Sequence, residues 1–120
     1  MSAATARRPV PSRKEATHER IVETAARAIR RSGYAGAGVA EIMKEAGLTH
    51  GGFYAHFDSR EGMLAEAADR AGADTVATMA RVAAAAPPEQ ALNALLRAYL
   101  SKVHVESVAT GCAVAALGSE

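Results

Sequence analysis

Apolar positions along this chain repeat with the period of an α-helix, in stretches punctuated by glycine and proline. The first stretch places Ile21, Val22, Ala25, Ala28 and Ile29 on one stripe, with Arg20, Arg27, Arg30 and Arg31 mostly off it. It predicts a helix capped at Thr17 and running to about Ser32, closed by Gly33 as a left-handed cap with Tyr34 folding back to pack. After a loop, Ala35 to Gly38, a short helix from Val39 to about Ala46 buries Val39, Ile42, Met43 and Ala46. Gly47 breaks it, Leu48 plugs a tight turn, and Thr49 caps a third helix from His50 to about His56 that turns Phe53 and Phe57 inward. A fourth helix starts at Asp58 or Ser59, without a full capping box because Gly62 stands where the box needs Glu, and extends toward Ala84. Its inner face is Met63, Leu64, Ala67, Ala68 and Ala71, and Gly72 weakens it without breaking it. Pro87-Pro88 is a boundary suited to the first turn of a fifth helix carrying Ala91, Leu92, Leu95, Leu96, Tyr99 and Val103. Gly111 precedes a last apolar segment, Cys112 to Leu117.

The predicted fold is therefore all-α: a three-helix helix-turn-helix head, a long connector helix, and the beginning of a second helical domain. The corresponding division is a flexible basic arm over 1–14, a head over 15–75, and the start of a further helical domain over 76–120. Of the 59 hydrophobic residues 30 are alanine, which forms helices well but buries little area, so the core must be thin. Four of the five aromatics, Tyr34, Phe53, Tyr54 and Phe57, fall in one short stretch and mark where that core is built.

Net charge is only +1, but residues 1–60 hold ten Lys/Arg against six Asp/Glu, while residues 61–120 hold four against seven. A basic front half suits a polyanion-binding module joined to something else. Arg7, Arg8, Arg13 and Lys14 are equally a phosphate-tracking arm or a solvated tail. Cys112 is the single cysteine, so no intrachain disulfide is possible. With no apolar signal segment in the first twenty residues and no long uncharged apolar run, a cytoplasmic protein is expected.

The third helix is a poor core element: His50, Gly51, Gly52, Tyr54 and His56 are small or polar, and two glycines weaken so short a helix. Close approach of the backbone to another surface is a reason to keep them. His50 and Tyr54 are four apart and share a face, the first helix of such a pair braces, and the second lies in the major groove of duplex DNA. Thr49 at its start favours a phosphate, and Arg60 just beyond it is placed for another.

Taken together, Thr17 with Ile21, Gly33-Tyr34, Val39 with Ile42, Ala46-Gly47-Leu48-Thr49, Phe53-Tyr54 with His56-Phe57, and Ser59-Arg60-Glu61 with Leu64 resemble the DNA-binding domain of the TetR family. The resemblance covers about residues 17–70 and is weaker after Pro87. It implies a transcriptional regulator, with repression favoured, that binds an operator as a homodimer and answers to a small-molecule effector, with no cofactor. DNA contacts would come from Thr17, Gly38, Thr49, His50, Gly51, Gly52, Tyr54, His56 and Arg60, over a core of Ile42, Gly47, Leu48, Phe53 and Phe57. For His56 a phosphate contact and a supporting role in the fold stand equal. Leu96, Tyr99 and Val103 are candidates to line an effector pocket, although helical spacing makes them core residues first. Two departures stand out. Many members carry Ser or Thr where this chain has Ala37 and Gly38, and many carry Lys where it has Arg60. Members also run well past 120 residues, so the chain is expected to be an incomplete regulator, monomeric or poorly behaved by itself.

Competing chemistries are weaker. His50 and His56 are six apart, which does not match the one-turn spacing of helical metal ligands. Cys112 has no basic neighbour to activate it and reads as a buried apolar residue. No phosphate loop, zinc spacing or nucleophile elbow argues for an enzyme. A helical adaptor that uses the third helix to bind a protein is the alternative to DNA binding.

Overall fold

A computed structural model of the chain describes residues 10–101 together with Glu106, Ala109, Gly111, Cys112 and Leu117. Among them there are helices and turns and no strand. The order is α1 (Arg13–Ser32), α2 (Val39–Glu45), a 3-10 helix (His50–Ala55), α3 (Arg60–Ala84), a 3-10 turn (Pro88–Gln90) and α4 (Ala91–Tyr99).

The first helix is capped five residues before the expected position. Ser12 is the N-cap: its hydroxyl accepts from the Glu15 N–H at 3.1 Å, and the Glu15 carboxylate accepts from the Ser12 N–H at 3.4 Å. This reciprocal box satisfies two N–H groups at once, which Thr17 cannot do because no acidic residue stands three positions after it. Thr17 therefore lies inside α1, half-buried, and Arg13 and Lys14 form the helix's first turn. The helix closes at Gly33, whose N–H donates to the Ile29 carbonyl at 2.8 Å. Gly33 adopts φ 68° and ψ −177°, so the cap is not the left-handed helical one but a conformation essentially restricted to glycine.

Burial follows the predicted stripes. Ile21, Val22, Ala25, Ala28 and Ile29 of α1 meet Ile42 and Met43 of α2, Phe53, Phe57, and Met63, Leu64, Ala67 and Ala71 of α3 in one core. The Phe53 and Phe57 rings stack at 5.6 Å, and Tyr34, Val39, Leu48 and Leu117 pack around the rim. Arg30 departs from its predicted place: its side chain is only 5% exposed, and Nη2 donates to the Ala71 carbonyl at 3.2 Å and to Asp74 at 3.1 Å. Small residues on α3 let the two helices come close enough for a guanidinium to reach a main-chain oxygen. Arg70 adds ion pairs from α3 back to Glu19 and Glu23 of α1.

α2 ends at Glu45, with Ala46 as its buried cap, and Gly47 turns the chain at φ 76°. The third helix is 3-10 rather than α, as expected of six residues weakened by two adjacent glycines. Thr49 occupies its N-cap position, but the side chain makes no cap bond; the Gly52 N–H instead donates to the Thr49 carbonyl at 3.1 Å. Ser59 caps α3, its hydroxyl accepting from the Gly62 N–H at 3.0 Å. α3 runs unbroken through Gly72 to Ala84, and the Pro87-Pro88 step leads into α4. α4 packs on α3 with Ala91, Ala94, Leu95 and Ala98 partly covered, leaving Leu92, Leu96 and Leu100 exposed. Cys112 is half-buried rather than buried.

Candidate nucleic-acid interface

The segment from Thr49 to Ala55 presents one continuous face. Thr49, His50, Gly51, Tyr54 and Ala55 are exposed, Gly52 is half-buried, and Phe53 alone of the 3-10 helix is buried. Tyr54 is 72% exposed, and the buried Phe53 ring meets it edge-on at 5.1 Å, so an inward anchor supports an outward aromatic. Leu48 and the positive-φ Gly47 aim this face away from α2, with the Leu48 N–H donating to the Met43 carbonyl at 2.8 Å.

The fold itself does not require the two glycines. A Cβ at Gly51 would meet nothing within 4 Å, and one at Gly52 would make only ordinary contacts, 3.5 Å to the Thr49 hydroxyl and 3.9 Å to Met43. Neither has a positive φ. Gly38 is also open: it caps α2 with extended dihedrals, φ −75° and ψ 141°, and has nothing within 4 Å of a Cβ. A hydroxyl residue would fit there without strain.

Three candidates stand apart from that face. Thr17 lies in α1, half-buried, and neither caps the helix nor makes a side-chain hydrogen bond. Arg60 is the first residue of α3, and its Nη2 donates to the Tyr34 carbonyl at 2.6 Å, partly buried. The guanidinium is thus first a brace between α3 and the α1–α2 loop, sharing the Tyr34 carbonyl with the Ala37 N–H, which donates to it at 3.2 Å. His56 is the C-cap of the 3-10 helix, its N–H donating to the Phe53 carbonyl at 2.9 Å, and its ring turns toward α1 with Nδ1 buried and unpartnered.

Sequence reasoning missed His18. Its ring stacks on Phe57 at 4.5 Å, lies 6.2 Å from the His56 ring, and holds Glu66 of α3 through Nε2 at 2.6 Å. Burial first, then His18 and then Lys14, push the His56 imidazolium below its ordinary range. The available signal was the four-residue spacing of Lys14 and His18, which puts both on the helix face toward the turn. A groove of about 430 Å³ runs between these residues, with Pro11, Lys14 and His18 on one side and Ala55 and His56 on the other.

Of the effector candidates, Leu96 lines a shallow open hollow with Asn93, Arg97 and Leu100, and Tyr99 lies on the same short helix. Val103 lies outside the described residues. Among the described residues no group of three or more His, Cys, Asp or Glu side chains is placed to hold a metal, and no helix is long and apolar enough to cross a membrane.

A bracing helix, a glycine turn and a short second helix exposing one polar face, all seated on α1 and capped by α3, define a helix-turn-helix domain. Residues 21–67 match the family model of the bacterial regulatory proteins of the tetR family. A stretch of 51 residues is 39% identical to the uncharacterized HTH-type transcriptional regulator YerO of Bacillus subtilis (strain 168), covering 42% of this chain and 18% of that protein.

Proposed function

We propose that this chain is the DNA-reading part of a transcriptional regulator, with the face from Thr49 to Tyr54 entering the major groove of an operator. The observation that carries the reading is the pair Gly51 and Gly52, exposed or half-exposed on a helix that would be sterically content with alanine. Glycines that the interior does not need, on the face between His50 and Tyr54, suit a backbone that must come close to a groove wall. His50 and Tyr54 supply base-edge contacts. Thr49, whose hydroxyl is not used as a cap, supplies a phosphate contact, as do the N-terminus of α2 at Gly38 and the remaining N–H groups of Arg60.

In the complete regulator, two such heads on a homodimer reach successive major grooves about 34–36 Å apart. The finer reading is repression, by occupying DNA that polymerase needs, in the cytoplasm and under control of a small-molecule effector. The head comprises residues 15–75, and residues 76–120 begin the effector and dimerisation domain, where Leu96, Tyr99 and Val103 are the pocket candidates. Its support is the tetR-family match over 21–67 and a regulator as relative.

Titration of a fluorescent random duplex at several salt concentrations tests the reading. Phosphate-driven binding weakens steeply with salt, by roughly 0.9 decades per decade of salt for each phosphate contact. An absence of duplex binding at low salt would favour the protein-adaptor alternative.

A further inference from the structure

The His18–His56 pair sits where three elements meet. His18 belongs to α1, His56 ends the 3-10 helix, and Glu66, which holds His18 at 2.6 Å, belongs to α3. Phe57 lies under the His18 ring at 4.5 Å and stacks on Phe53, the one buried anchor of the 3-10 helix. The position of that helix is therefore tied to the position of the two imidazoles.

The charged groups facing the pair do not treat the two rings equally. α1 contributes Lys14, Glu15, His18 and Glu19 to the groove, and the end of the 3-10 helix contributes Ala55 and its C-cap His56; α3 brings Glu66 against His18, and Asp58 follows two residues on and is exposed. Each of the three glutamates is engaged elsewhere: Glu15 with the Ser12 N–H, Glu19 with Arg70, and Glu66 with His18. A proton on His18 has a carboxylate to answer it. A proton on His56 has none, and both of its ring nitrogens would then carry N–H, one of them buried at Nδ1 without an acceptor. Lys14 and a charged His18 would oppose it as well.

We infer that His18 and His56 form a proton-sensitive latch: one proton on the pair seats the reading helix, and a second drives the His56 ring out, releasing that helix and with it specific duplex binding. The inference rests on the proposed DNA-reading role of the 3-10 helix, but the latch itself is a property of the head and can be measured without DNA. It makes acidification, not a small molecule, a direct input to the reading head.

The test follows ring ¹H–¹³C signals of both histidines through a pH titration of the full chain, alongside duplex affinity at about pH 7.5 and about pH 5.5. Folding at each pH is checked by circular dichroism. Expected are two separated ring midpoints with that of His56 the lower, an upward move of the His56 midpoint in His18→Gln, and a wild-type affinity that falls on acidification. The fall should approach tenfold per pH unit below the second midpoint, the limit for one proton excluded on binding. The ratio of affinities at the two pH values, taken within each variant, should flatten in His56→Gln. Affinity that rises on acidification would show His56 paired to a phosphate and overturn the latch. So would an acid loss undiminished in His56→Gln, or a His56 midpoint indifferent to His18→Gln. If no duplex binds at any pH, the DNA-reading role fails, and the ring titrations alone decide the latch.

Discussion

The Arg60 guanidinium, in the first turn of α3, donates from Nη2 to the carbonyl oxygen of Tyr34 at 2.6 Å. That bond joins the start of the connector helix to the loop that sets the angle of α2, so Arg60 acts on the head's shape before it acts on DNA. Arg60→Ala is expected to cost about 1.5–3 kcal/mol of stability, the range for a hydrogen bond to a charged group. Arg60→Lys should recover part of it, since an ammonium reaches one acceptor but lacks the planar fork. Urea denaturation of the three proteins checks this. An unchanged midpoint in Arg60→Ala would mean that the residue serves DNA alone.

Gly51→Ala and Gly52→Ala separate stability from binding. Neither new methyl group meets a forbidden contact, the nearer atom being the Thr49 hydroxyl at 3.5 Å from Gly52. Reduced freedom of the unfolded chain should stabilise each variant by about 0.4–1 kcal/mol. Duplex affinity should fall at the same time, because the added methyl stands on the face that approaches the groove. Thermal melts and duplex titrations on the same samples give both quantities. Affinity that is unchanged or higher would remove the main support for close backbone approach.

Two other glycines should behave oppositely. Gly33 at φ 68°, ψ −177° and Gly47 at φ 76° hold positive φ that a side chain disfavours. Gly47→Ala should destabilise by about 1–2 kcal/mol. Gly33→Ala should cost about 1–3 kcal/mol, because its ψ lies in the region essentially restricted to glycine. Denaturation midpoints measure both, and a Gly33→Ala variant as stable as the parent would contradict the cap geometry.

Acid should weaken the head through His56. Its folded-state pKa lies below the ordinary value of 6.5, chiefly through burial and then through His18 and Lys14. Between the folded and unfolded values the unfolded chain binds more protons, so stability rises with pH across that window. The contribution is fully present above about 6.5 and is lost as pH falls through the lower folded value. Melting temperatures of wild type and His56→Gln, compared from neutral pH downward, should diverge as pH falls below about 6.5, with the wild type falling faster. Parallel curves would assign the acid sensitivity to other groups.

What the sequence determined by itself is whatever depends on local periodicity and backbone chemistry. The stripes from Ile21 to Ile29 and from Met63 to Ala71 and the inward Phe53 and Phe57 follow from one turn's spacing, and the stops at Gly33 and Gly47 from glycine's freedom at positive φ. The Ser12–Glu15 box is equally local and legible, a hydroxyl followed three positions later by a carboxylate, whereas Thr17 has Arg20 at that place. Tertiary structure decided the partners of long polar side chains. Arg30 reaches Ala71 and Asp74, 41 and 44 residues away, Arg60 reaches back 26 residues to Tyr34, and His18 finds Glu66 at a separation of 48. A long side chain can turn toward water or inward, and only the approach of α3 to α1 presents the carbonyl or carboxylate that makes the inward rotamer favourable.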